Sequence, residues 1–163
     1  MNTKKIAYYS LLIALALVLS YVESQIPPLM SVPGMKLGLT NLVVLVALYR
    51  LGYKDAILIN IVRILIVGFT FGNGVSILYA ISGAIISFIT MALLKRFTSL
   101  HVIAISTAGG IMHNVGQILM AMVLFGSKQL LWYLPFLWAS GIAAGIIIGI
   151  ISGFIMKRLP NVK

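Results

Sequence analysis

An all-α membrane protein, a six-helix transmembrane bundle, is the fold class this sequence predicts, and three observations predict it. Of 163 residues, 61% are hydrophobic and only 9% charged, against roughly 25% charged in a soluble domain. Mean hydropathy is +1.13. Six spans of about 20 residues each would use most of the chain and leave only short loops. The expected organisation is therefore a single integral membrane domain over 1–163, with no room for a soluble catalytic domain. There is no cysteine, which excludes disulfides, thiolate nucleophiles and thiolate metal sites.

Each span has its own signature. The run 6–21 follows Lys4 and Lys5. It has a signal peptide's basic flank but not its short apolar length or its cleavage site, so it reads as a retained helix. The stretch from Glu23 to Gly34 holds Pro27, Pro28 and Pro33 and cannot continue a helix. Span two covers 37–49, somewhat short, and ends at Arg50 and Gly52. Span three covers 56–69 and is turned back by Thr-Phe-Gly-Asn-Gly at 70–74. Span four covers 75–94 and is closed by Lys95 and Arg96. Span five covers 102–125 and span six 136–156, with Trp132, Tyr133 and Pro135 between them and Lys157 and Arg158 at the end.

The net charge of +10 suggests nucleic acid until the basic residues are placed. With both termini in the cytoplasm, nine of the twelve Lys and Arg fall inside, Lys36 and Lys128 fall outside, and Arg63 lies within span three. That is the positive-inside pattern. The basic excess is thus topological, and no nucleic-acid partner is expected. The only carboxylates are Glu23, expected at the outer end of span one, and Asp55, expected at the inner start of span three. About 30 Å of hydrocarbon separates those levels, so the two cannot act as an acid/base pair. No Asp-rich magnesium motif, phosphate loop or nucleophile elbow is present. The sequence offers no catalytic residues and no metal site, and implies no cofactor.

The candidate site is read from polar residues inside the spans. Arg63 is near mid-depth, where a charge costs roughly 2.5–3.5 kcal/mol, and neither carboxylate is expected at its level. It is either a structural arginine tied to backbone carbonyls or part of an anion site; Asn60 shares its face. Span five carries His113, Asn114 and Gln117 between Gly109, Gly110 and Gly116. Any one of the three serves as interhelical glue worth about 0.6 kcal/mol, whereas the cluster suggests a binding surface. Lys36, Asn41 and Asn73 fall near the outer ends of spans two and three, and Tyr79 about one turn into span four. Together they describe a pocket opening outward, covered by the loops 24–36 and 127–135. The rings of Trp132, Tyr133 and Trp138 are equally expected from an interfacial aromatic belt. Gly141, Gly145, Gly149 and Gly153 form overlapping GxxxG motifs, read as packing inside the bundle. Ser10 and Ala14 make a weaker small-xxx-small pattern on span one.

Three stretches, Pro33 to Asn41 (PGMKLGLTN), Arg63-Ile-Leu, and Gly109 to Gln117 (GGIMHNVGQ), together resemble the Gx transporter family, whose members are often labelled heptaprenyl diphosphate synthase component I. That family is similar to the substrate-binding S components of energy-coupling factor (ECF) transporters. The resemblance implies a multi-pass protein of the bacterial cytoplasmic membrane that captures a small anionic organic nutrient, or an isoprenoid or quinone precursor, from outside. It also implies docking on one transmembrane coupling subunit and two ATPase subunits. In such proteins an Ala-x-x-x-Ala pair on the first helix is the usual docking face, matched here by Ser10 and Ala14 with Ser in the first place. The synthase label fits the residues badly, since magnesium-bound diphosphate chemistry needs carboxylates. The alternative is a non-catalytic membrane partner of a polyprenyl diphosphate synthase or quinone-pathway enzyme. A stand-alone secondary transporter would need buried titratable carboxylates for ion coupling.

Overall fold

The computed structural model describes residues 3–25 and 38–159. These residues form six α-helices and one short 3-10 helix: α1 (Thr3–Gln25), α2 (Asn41–Arg50), α3 (Tyr53–Phe71), α4 (Gly74–Phe97), α5 (Val102–Phe125), the 3-10 turn Lys128–Tyr133, and α6 (Leu134–Arg158). Four of them, α1, α4, α5 and the unit ending in α6, are long and apolar enough to cross a membrane. Helices α1, α3, α4 and α6 overrun the predicted spans by about a turn or less, α5 has the predicted bounds, and α2 begins at Asn41 rather than at 37. The predicted loop 127–135 is largely the 3-10 helix.

Spans two and three are the exceptions. Ten residues give α2 a length of about 15 Å, half of a ~30 Å hydrocarbon core, and its residues Asn41 to Leu48 are all buried. A helix apolar on every side belongs in the middle of a bundle, and α2 touches α1, α3, α4 and α6. Its side chains Val43 to Leu48 form the core together with Leu12, Ala16, Ile59, Met91, Ile105 and Ile148. Helix α3 is about 28 Å long, but it carries Lys54, Asp55 and Arg63.

Glycines set the tightest contacts. A Cβ on Gly145 would lie 2.5 Å from the Cα of Thr107, and one on Gly149 2.7 Å from the Cα of Ile103. One on Gly141 would lie 2.9 Å from the carbonyl oxygen of Gly110. The glycine stripe of α6 therefore lies against α5, as expected, and brings the two backbones together. On the opposite side of α5, Gly116 meets the backbone of Gly83, and the Ser82 hydroxyl donates to the Gly116 carbonyl at 2.7 Å.

One end of the bundle gathers charge. Lys5 pairs with Asp55 at 2.7 Å, joining the starts of α1 and α3. Lys95, at the end of α4, donates to the Leu48 carbonyl at 2.6 Å and lies 4.6 Å from the centre of the Tyr49 ring. This is the end expected to face the cytoplasm.

Candidate functional site

The turn that leads into α2 organises the polar residues. Gly38 has a φ of +79°, which an L side chain adopts only at a cost, and its carbonyl accepts the Asn41 amide at 2.8 Å. This conformation points the Gly38 and Leu39 N–H groups at one carboxylate oxygen of Glu23, at 2.5 and 3.3 Å. Two residues further on, the Thr40 hydroxyl accepts from Arg63 Nη1. From α3, Asn60 Oδ1 accepts from Arg63 Nε at 2.9 Å, as the three-residue spacing implied. Arg63 is only 5% exposed, and its Nη2 has no hydrogen-bond partner among the described residues.

The expectation that no carboxylate reaches the level of Arg63 is overturned. Glu23 is within electrostatic reach of the guanidinium and is 6% exposed. It lies in the last turn of α1, which ends at Gln25, but its side chain is buried while Ser24 and Gln25 are exposed. Leu12, Ala16, Ser20 and Glu23 form the buried side of that helix, so the carboxylate turns inward. Counting residues gave its Cα level but not this direction. Glu23, Thr40 and Gly38 are the site residues that sequence reasoning missed. The signal for Gly38 and Thr40 was the Gly-Leu-Thr-Asn run itself; the burial of Glu23 had none.

His113 stands between two glycines. A Cβ on Gly38 would lie 3.3 Å from its Cδ2, and one on Gly83 2.9 Å from its Cε1 and Nδ1. Asn41 Nδ2 lies 3.0 Å from the same point on Gly38, so Asn41, His113, Arg63 and Glu23 surround one short segment. Gln117, a turn above His113, is 2% exposed, and its Oε1 lacks a partner among the described residues. Tyr79 is fully buried against Ala121, the next turn of the same stripe, with Leu130 of the 3-10 helix packed on both. Its hydroxyl also has no partner among the described residues.

Two predicted site residues belong elsewhere. Asn114 Nδ2 donates to the Leu137 carbonyl at 2.7 Å and to the Ser140 hydroxyl at 3.2 Å, so it ties α5 to α6. Asn73 is exposed and caps α4: its Oδ1 accepts from the Ser76 amide, while its own amide donates to the Ser76 hydroxyl. The cluster with His113 and Gln117 suggested a ligand-facing role for Asn114, and depth suggested one for Asn73, whereas these side chains are taken up by a helix contact and a helix end. Lys36 and most of the loop 24–36 lie outside the described residues. Among the described residues no group of three or more His, Asp or Glu is placed to hold a metal ion. Ser10 and Ala14 are exposed, on the side of α1 away from its buried stripe.

Long apolar helices around a buried charged site define a multi-pass helical membrane protein. The chain belongs to the family described as heptaprenyl diphosphate synthase component I, which it matches over residues 12–155. No curated protein and no solved structure matches it.

Proposed function

We propose that the chain is the substrate-binding subunit of an ECF-type importer. It spans the membrane with both termini inside, binds a small organic anion from outside, and leaves ATP hydrolysis to other subunits. The observation that carries this reading is Arg63: a buried guanidinium with two nitrogens fixed by Asn60 and Thr40 and a third without a protein partner among the described residues. A membrane-embedded guanidinium is tolerated when its donors are satisfied. A carboxylate or phosphate oxygen satisfies Nη2 through a charge-assisted bond. Glu23 offsets part of the Arg63 charge, but its carboxylate is engaged by the Gly38 and Leu39 amides, so the attraction for an anion is local to Nη2. Gln117 and Tyr79 supply further polar contacts on the outer side, under the 3-10 helix.

The exposed Ser10 and Ala14 support a docking surface on α1 for a coupling subunit. The family's description favours a second reading, a membrane component working beside a separate polyprenyl synthase. That reading places the important polar residues at the cytoplasmic end, where this chain has chiefly Lys and Arg.

The test is native mass spectrometry of gently extracted protein. Wild type is expected to retain a small acid, whereas Arg63→Gln and Arg63→Lys lose it while remaining monodisperse. Losing a buried charged contact costs about 2–5 kcal/mol, roughly 30- to several-thousand-fold in affinity. Retention of the same acid by Arg63→Gln returns the arginine to a structural role.

A further inference from the structure

Helices α3 and α4 part to form a lateral cleft of about 370 Å³. Ile64, Phe88 and Ala84 line it within, Ile61 and Ile85 stand at its exposed rims, and among the described residues its one polar lining residue is Asn60. Asn60 is the residue whose Oδ1 holds Arg63 Nε. The apolar cleft and the charged site therefore share a wall. On α3, Asn60 lies between Arg63 on one side and Ile61 and Ile64 on the other, as 100° per residue requires.

A groove of this kind in a membrane fills with hydrocarbon, because no water is available to fill it. What distinguishes this one from a lipid-facing crease is that Asn60, in its wall, also holds a buried cation. A molecule whose anionic head meets Arg63 Nη2 needs only to pass Asn60 for its remaining length to reach an apolar slot that already exists. A head-only ligand leaves that slot unused. The contrast with α5 and α6 is informative: there glycines close the helix pair backbone to backbone, whereas here Ala84 leaves room without closing the gap.

Building on the reading of Arg63 as the head-group site, we propose that the ligand is a single-chain amphiphile, with its anionic head on Arg63 and its hydrocarbon chain in the α3–α4 cleft. Because lipid tails are as apolar as the cleft, binding strength alone will not reveal the chain's position, so the test reads location. The protein is placed in lipid nanodiscs with dodecyl phosphate carrying a diazirine at the chain end, or laurate carrying the same group. After photolysis, adducts are mapped by mass spectrometry. Ethyl phosphate and propionate serve as head-only probes.

Adducts are expected within 57–65 and 81–89. They should be competed by unlabelled amphiphile, reduced about 30-fold or more in Arg63→Gln, and lost in Ala84→Phe, which still binds the head-only probe. If Ala84→Phe proves unstable, Ile61→Trp fills the cleft from its lipid-facing rim and is expected to give the same selective loss. Cleft adducts undiminished in Arg63→Gln would identify a bilayer chain and overturn the inference. Arg63-dependent binding of head-only probes with chain adducts outside the cleft overturns the tail path but leaves the Arg63 site standing. Absence of any Arg63-dependent binding removes both.

Discussion

Arg63 is held so that its geometry, as well as its charge, matters. Asn60 and Thr40 fix Nε and Nη1, which aims Nη2 in one direction; an ammonium has no such fork. Gln117→Ala is expected to weaken ligand retention by about ten-fold at most, as loss of one neutral hydrogen bond does, well short of the loss in Arg63→Gln. Gly38 makes a sharper prediction. Its φ of +79° and the position of its missing Cβ, 3.0 Å from Asn41 Nδ2 and 3.3 Å from His113 Cδ2, leave an alanine nowhere to go without moving the turn. The Glu23 and Arg63 contacts are made by that same turn. Gly38→Ala is therefore expected to lower thermal stability by about 1–2 kcal/mol and also to abolish ligand retention; retention at the wild-type level would separate the turn from the site. Among these residues, the Asn60–Arg63 pair was legible because helix spacing alone dictates it. The inward turn of Glu23 was not, since depth along a helix says nothing about which neighbour approaches, and the approaching residues are non-helical.

Helix packing gives the next two expectations. Gly145 and Gly153 share the face of α6 that meets α5, but their surroundings differ. A Cβ on Gly145 would lie 2.5 Å from a Thr107 backbone atom, whereas the nearest atom to one on Gly153 is Val102 Cγ1 at 3.8 Å. Gly145→Ala should cost about 1–3 kcal/mol through forced separation of the backbones. Gly153→Ala should be neutral or stabilising, since alanine is the better helix former by about 1 kcal/mol. Thermal unfolding in detergent distinguishes the two, and equal effects would mean that the glycine stripe matters for propensity rather than approach. The second expectation concerns the ends of α1 and α3. Partial burial pushes the Asp55 carboxyl up, but hydrogen bonds from Lys5 and Tyr9 and the Lys5 charge outweigh it, so the group sits below its ordinary value. A depressed carboxyl stabilises the fold above its unfolded pKa of about 3.9, and that contribution is lost as pH falls through the folded value. Asp55→Asn should thus melt slightly lower at neutral pH and lose less on acidification below about pH 4. The effect is small, because the pair is partly exposed. The α6 stripe and the six helical segments could be read from periodicity. Span two was legible as short, but the burial of α2 on every side was not, because a fully buried helix and a spanning helix have the same uniformly apolar sequence over ten residues.

At the scale of the whole molecule, α1 has two unlike faces, and on the proposed reading that difference separates binding from transport. Leu12, Ala16, Ser20 and Glu23 turn inward to the core and the site, while Ser10, Ala14, Val18 and Tyr21 are exposed. An exposed apolar face inside a bilayer costs nothing, as lipid is as apolar as leucine, so large residues alone would satisfy it. Small residues at four-residue spacing instead permit close approach of another helix. On the proposed reading the residues around Arg63 bind ligand, and the sequence carries no nucleotide loop, so the energy for uptake would come from another protein. Purified chain in liposomes is therefore expected to bind ligand but not to accumulate it against a gradient; accumulation by the chain alone would exclude the subunit reading. Within a reconstituted importer, Ser10→Leu with Ala14→Leu should push an approaching helix outward and suppress transport. Ligand retention by the isolated variant should stay at the wild-type level, because neither residue belongs to the buried stripe that carries Glu23. Parallel loss of retention and transport would make that face part of the fold and remove the docking assignment, while loss of transport alone fixes α1 as the element that joins a ligand-binding interior to an external motor.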